Sequence, residues 1–189
     1  MERTEETVWA EEINAFREIT PDSRFLCMFS GGKDSGLAFA IACGQAQPTT
    51  LIHILDGGNA LYHGQPSRLV EAQAACMGVP VIYMPYKWWH HWEEAQRDLL
   101  ALHITGSDSI VFGDIRLESI FMGDIPLSRR AGFMPCLPLA GVPYDRLMDQ
   151  LEEHRIVSLI TRINHPAIRT DLLRRRSIWS VGTQRRLRI

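Results

Sequence analysis

The chain of 189 residues is 46% apolar and 22% charged, and its formal net charge is −2. That length suits one domain with room for a small appendage, and the composition excludes disordered and low-complexity classes. The near-neutral balance gives no overall reason to expect nucleic acid or an anionic membrane as partner, and no disulfide is needed to hold a core of this size.

Trp9, Ile13 and Phe16 stand at helical spacing and predict a first helix over 7–19, closed by the turn Thr20-Pro21-Asp22. RFLCMF (24–29) is a continuous apolar run and predicts a buried strand. SGGKDS follows it, then GLAFAIACGQ, a helix ending near Gly44. The alternation repeats: strand over 50–56, helix over 67–78, strand over 79–84, helix over 90–104, strand over 109–115, helix over 144–155 and strand over 156–163. Such a pattern predicts an α/β fold, a doubly wound parallel sheet of five strands in the order 3-2-1-4-5 with ligands at the carboxyl ends of the strands. Residues 116–143 carry Pro126, Pro135, Pro138 and Pro143 and are expected to cross the top of the sheet rather than form one straight helix.

The N-terminal MERTEETVWAEE is acidic, not basic-then-apolar, and no apolar run approaches bilayer length. Cys27, Cys43, Cys76 and Cys136 form no CxxC pair. These features point to a cytoplasmic protein without a membrane partner, its thiols free and mostly buried. Residues 1–168 are expected to form the α/β domain and 169–189 a basic tail. Seven arginines and one acid give that tail a charge of +6 and leave −8 on the rest. It reads as a solvated surface helix or as a basic arm for RNA, the only part that would take nucleic acid.

Ser30-Gly31-Gly32-Lys33-Asp34-Ser35 lies between a predicted strand and a predicted helix. Two glycines permit a tight turn in which consecutive N–H groups point at one anion, and the helix N-terminus adds unsatisfied donors. Lys33 supplies a full positive charge, and Ser30 and Ser35 supply hydroxyls. Asp34 would not touch phosphate directly; it suits a Mg²⁺ ligand or a loop-fixing acceptor. The common P-loop is excluded, because Cys27 replaces its first glycine and Asp34 its Ser/Thr.

SGGKDS after an apolar strand resembles the PP-loop of the ATP pyrophosphatase superfamily. Further pieces are similar to the diphthine–ammonia ligase family: Tyr62-His63 with LVEAQAACMGVPVI, the block VFGDIRLES, and Pro138-Leu139 ahead of YDRLMDQL. The resemblance covers roughly residues 24–163 and implies an adenine nucleotide α-hydrolase-like fold. It implies cleavage of ATP between the α and β phosphates, adenylation of a carboxylate acceptor, and amide formation with ammonia. ATP and Mg²⁺ are the implied cofactors, with Gly113 of the GDI block at the nucleotide. The chain departs from the family pattern near Phe121, where an Arg is usual a few residues after the Glu of the GDI block, and at Ala140, where a Trp is usual. An Arg-rich stretch follows where the family has a Gly-Glu-x-Gly-Glu-x-His-Thr element, so an altered acceptor half is expected.

Among other candidates, Asp56 ends the second strand and is suited to ribose, metal or loop capping. Asp114 and Glu118, four residues apart, would share a helical face and hold Mg²⁺ or orient an amine, or else form an exposed capping pair. His63 would contact substrate or phosphate, or be merely solvated. His90 and His91 face different directions on a helix and are weak zinc candidates, while Trp88, Trp89 and Trp92 suit packing or a subunit interface in a homo-oligomer. Two rival functions stand beside the ligase: a nucleotide-binding protein without catalysis, and an RNA-modifying adenylase or thiolase. The cysteine spacings do not support the thiolase.

Overall fold

The computed structural model describes residues 9, 12–56, 60–61, 66–85, 92–160 and 176–177. Strand β1 (Arg24–Met28) is the centre of the sheet, and Phe25, Leu26 and Cys27 are fully buried in it. Helix α1 (Lys33–Cys43) follows, then β2 (Gln47–Asp56), β3 (Ala60–Leu61), α2 (Ser67–Met77), β4 (Val81–Pro85), α3 (Trp92–Ala101) and β5 (Ser109–Val111). Helical turns α4 (Leu117–Ser119) and α5 (Ile125–Arg130) flank a π turn over Ile120–Asp124. Strand β6 (Met134–Cys136), helix α6 (Tyr144–Glu153), and strands β7 (Ser158–Leu159) and β8 (Arg176–Ser177) complete the described elements.

Five strands pair in parallel in the order β4-β2-β1-β5-β6, which is the predicted 3-2-1-4-5 arrangement. The short β3 adds an antiparallel hairpin, with Leu55 opposite Leu61 and Asp56 opposite Ala60. One face of the sheet is covered by α1, α2 and α6 through Leu37, Phe39, Val70, Ala74, Leu147 and Leu151. The other is covered by Ile13, Phe16, Leu99, Ile120, Ile125 and Leu127. Two cores on two faces are what continuous apolar strands require.

The fifth strand is not the expected one. It is Met134–Cys136, inside the proline-rich segment, while residues 156–163 contribute Ser158–Leu159 to a separate antiparallel pair with Arg176–Ser177. Val157 and Leu159 are exposed there, so their apolar character does not mark a core strand. Pro135 is tolerated because, among the described residues, β6 pairs only with β5, leaving an edge where a missing N–H costs no ladder bond. The expected first helix is helical at Trp9 and tightens to a 3₁₀ turn over Ile13–Phe16. The expected strand over 109–115 stops at Val111, because the backbone then turns toward α1.

Residues 117–130 are interrupted, as the prolines predict. The Ile125 N–H reaches the Ile120 carbonyl, an i→i−5 bond, and Pro126 follows at the start of α5. A proline ring at 126 collides with the carbonyl four residues back in a regular helix; the wider turn relieves that collision. Of the cysteines, Cys27 and Cys136 are buried but Cys43 and Cys76 are exposed, so the expectation of mostly buried thiols holds for only two. No helix among the described residues is long and apolar enough to cross a membrane.

Candidate active site

The strand order reverses direction at β1 and β5, and the loops leaving their carboxyl ends flank the crevice where doubly wound sheets bind ligands. Ser30–Gly32 leaves β1. Gly31 has φ +76°, a left-handed conformation that suits glycine, and Gly32 is extended at the N-cap of α1 without a side-chain capping bond. The first-turn amides of α1 are therefore not satisfied by a cap. Hydroxyls hold the loop's shape. The Gly32 N–H donates to Ser30 Oγ at 3.3 Å, Ser35 Oγ donates to the Gly32 carbonyl at 3.1 Å, and the two serine oxygens lie 3.1 Å apart. From α2, Gln73 Nε2 donates to the Gly31 carbonyl at 3.2 Å.

The β5 loop presses on this turn. A Cβ at Gly113 would stand 2.7 Å from Ser35 N, 2.8 Å from Ser35 Cα and 2.9 Å from the Asp34 carbonyl carbon. These are backbone atoms that cannot swing aside, so only glycine permits the approach. The two motifs that the sequence separates by almost eighty residues thus form one site.

A cleft of about 820 Å³ opens between them, lined by Ser30, Asp34, Ser35, His53, Gly113, Asp114, Arg116 and Asp124 among others. Lys33 is not on its wall. Its Nζ lies 2.5 and 2.7 Å from the Asp34 carboxylate oxygens and 5.7 Å from the Tyr144 ring centroid. Glu118 is exposed in the first turn of α4 and does not line the cleft either. The helix begins at Leu117 after an extended Arg116, so the single helical face expected for Asp114 and Glu118 does not exist. Asp56 closes β2, and its side chain lies outside the described residues, as do His63, His90, His91 and all of the tail except Arg176 and Ser177.

Four polar groups at the site escaped the sequence reading. His53 is fully buried and Nδ1–H donates to the Phe29 carbonyl at 2.7 Å, which fixes the ring against the end of β1. Its signal was a histidine inside the apolar run TLIHILD. Gln73 stood unremarked within the QAACMGVPVI stretch, and Arg116 within the GDI block. Asp124 is 3% exposed, and its signal was a lone acid within IFMGDIPL. Burial first, and the charge of Asp114 second, raise its carboxyl well above the ordinary aspartate range.

Burial also pushes the Cys136 thiol up to about 12 and raises Cys27 further. These thiols stay protonated and make poor nucleophiles. Among the described residues no group of three or more His, Cys, Asp or Glu side chains converges to hold a metal. Asp34 and Asp114 do line one cleft, and two carboxylates beside a phosphate loop suit Mg²⁺, which keeps waters and takes its remaining ligands from phosphates.

Residues 23–122 match the family described as the diphthamide synthase N-terminal domain. No curated protein matches the sequence. Among solved structures, the U34-tRNA thiolase NcsA from Methanococcus maripaludis is similar at 14% identity and a TM-score of 0.44, over 79% of this chain and 63% of its own. The NMN synthetase from Francisella tularensis is similar at 14% identity and a TM-score of 0.49, over 82% of this chain and 72% of its own.

Proposed function

With more than half of its residues in that match, the chain belongs to the diphthamide synthase N-terminal domain family, a PP-loop family of the ATP pyrophosphatase type, and we propose that it adenylates a carboxylate acceptor and converts it to an amide. The observation that carries this reading is the seating of Gly113 on the first turn of α1, which brings Asp114 to the same cleft as an uncapped phosphate loop. The carboxylate attacks the α-phosphorus of ATP, pyrophosphate leaves, and ammonia or an amine then displaces AMP. The loop amides and the Ser30 and Ser35 hydroxyls face the departing pyrophosphate, in fixed positions that need no reorganisation as charge develops. Lys33 reaches the same phosphates once it exchanges Asp34 for them. Asp34 and Asp114 would hold Mg²⁺, which supplies charge neutralisation on the phosphates.

The test is the fate of α-labelled ATP with Mg²⁺, ammonium and a fractionated small-metabolite extract as the source of acceptor. AMP and pyrophosphate that appear together and fall with Lys33→Ala support the reading. A second reading, nucleotide binding without turnover, is favoured by Phe121, which falls near the place of the family's usual Arg and stacks on Trp9 with centroids 5.4 Å apart and planes at 8°. Tight ATP binding without AMP release from any fraction would select it.

A further inference from the structure

The π turn also lines the cleft, and it carries a carboxyl oxygen without a hydrogen-bond partner among the described residues. Asp124 is 3% exposed, lines the cavity, and its Oδ2 has no hydrogen-bond partner among the described residues. Its backbone carbonyl accepts from Ser128 Oγ at 2.8 Å. Asp114 lines the same cavity and is near enough for its charge to act on Asp124. A buried carboxyl oxygen without a partner is costly, and an ammonium that donates to it takes the place of the lost solvation and favours the carboxylate form. Arg116 lines the cleft but is exposed and forms no ion pair with Asp124.

We propose that Asp124 is the acceptor of the subsite that receives the second substrate of this cleft as an ammonium ion or a primary ammonium group, with Asp114, the Mg²⁺ candidate, at its edge. This rests on the reading that the cleft joins an amine to an activated carboxylate, and it gives that amine a place. Charge and surroundings select the class. The neighbouring wall includes Ile52, Ile54 and Met122, which accept an alkyl group but offer nothing to the waters that Mg²⁺ retains. A primary ammonium presents N–H donors, one of which would meet the unpartnered Asp124 oxygen. The five-residue π turn is what carries Asp124 to this wall, and such turns are frequent at functional sites.

The full chain is melted in methylammonium chloride, potassium chloride and tetramethylammonium chloride at equal ionic strength, beside Asp124→Asn and Asp114→Asn. Potassium matches ammonium in charge and size, and tetramethylammonium has no N–H. A methylammonium-specific rise in Tm of about 3 °C at saturating salt, absent in Asp124→Asn and reduced in Asp114→Asn, is expected. Equal shifts with all three salts, or an undiminished shift in Asp124→Asn, would overturn the proposal. If Asp124→Asn does not fold, the three salts on the wild type and on Asp114→Asn still decide. ATP binding is measured alongside. Its loss in the wild type removes the nucleotide reading, whereas retained ATP binding with no methylammonium effect removes only the amine subsite.

Discussion

On the β1 side of the cleft the polar groups of Ser30, Gly31, Gly32 and Ser35 are joined to one another and to Gln73, whereas on the β5 side the Asp124 carboxyl is buried with an unpartnered oxygen. The first wall is a rigid mould whose shape exists before any ligand arrives. Its uncapped groups are the first-turn amides of α1. The second wall holds a polar group where water is scarce, so its environment is incomplete without a ligand. Preorganised loop and unsatisfied acid are different arrangements: one is a set of groups already joined to one another, the other an acceptor without a partner.

Substitutions on the two walls should therefore fail differently. The largest effect belongs to Lys33→Ala, which should cut AMP formation by a factor of about 10² to 10³ while Tm stays within a degree or so. A fall in Tm with unchanged turnover would mean that Lys33 serves its contact with Tyr144 instead. Gly113→Ala follows. The added methyl group must push the β5 loop off Ser35, costing about 1–3 kcal/mol of stability and weakening ATP binding at least tenfold. Calorimetry that finds normal ATP affinity in this variant would separate the two loops functionally. Gln73→Ala removes one bond to the Gly31 carbonyl and should weaken ATP binding about fivefold, the effect of roughly 1 kcal/mol.

The smallest effect lies on the other wall and is read against pH. Asp124 holds its proton to higher pH in the folded state than in the unfolded chain, where an aspartate titrates near about 3.9. The folded state binds more protons in that window, so the contribution of Asp124 to stability is most favourable below pH 4 and declines as pH rises through its native value. Asp124→Asn, isosteric and uncharged, should flatten that part of the Tm–pH curve. An identical slope in variant and wild type would show that Asp124 is charged and partnered in solution.

The two walls also differ in how far they could be read without coordinates. Ser30–Ser35 are consecutive, and a strand, two glycines and a helix start make an anion loop by local backbone rules alone. The order of the sheet followed from alternating elements and short crossovers, apart from its last strand. There the apolar run that includes Val157 and Leu159, both exposed in the structure, outweighed a three-residue strand containing a proline. Asp114 was found, but its expected partner Glu118 was not the acid that shares the cleft. The i,i+4 rule presumes a helix, and the chain is extended through Arg116.

By itself the sequence determined the α/β class, the parallel strands and the phosphate loop, because each rests on residues near one another in the chain. Tertiary structure alone decided that Gly113 meets Ser35, that Lys33 pairs with Asp34 and leans toward Tyr144, and that Asp124 turns from a helix interruption into a cleft acid. Those outcomes depend on which loops the sheet brings together and on how a proline widens one turn of helix. Packing fixes such contacts, and local propensity does not encode them.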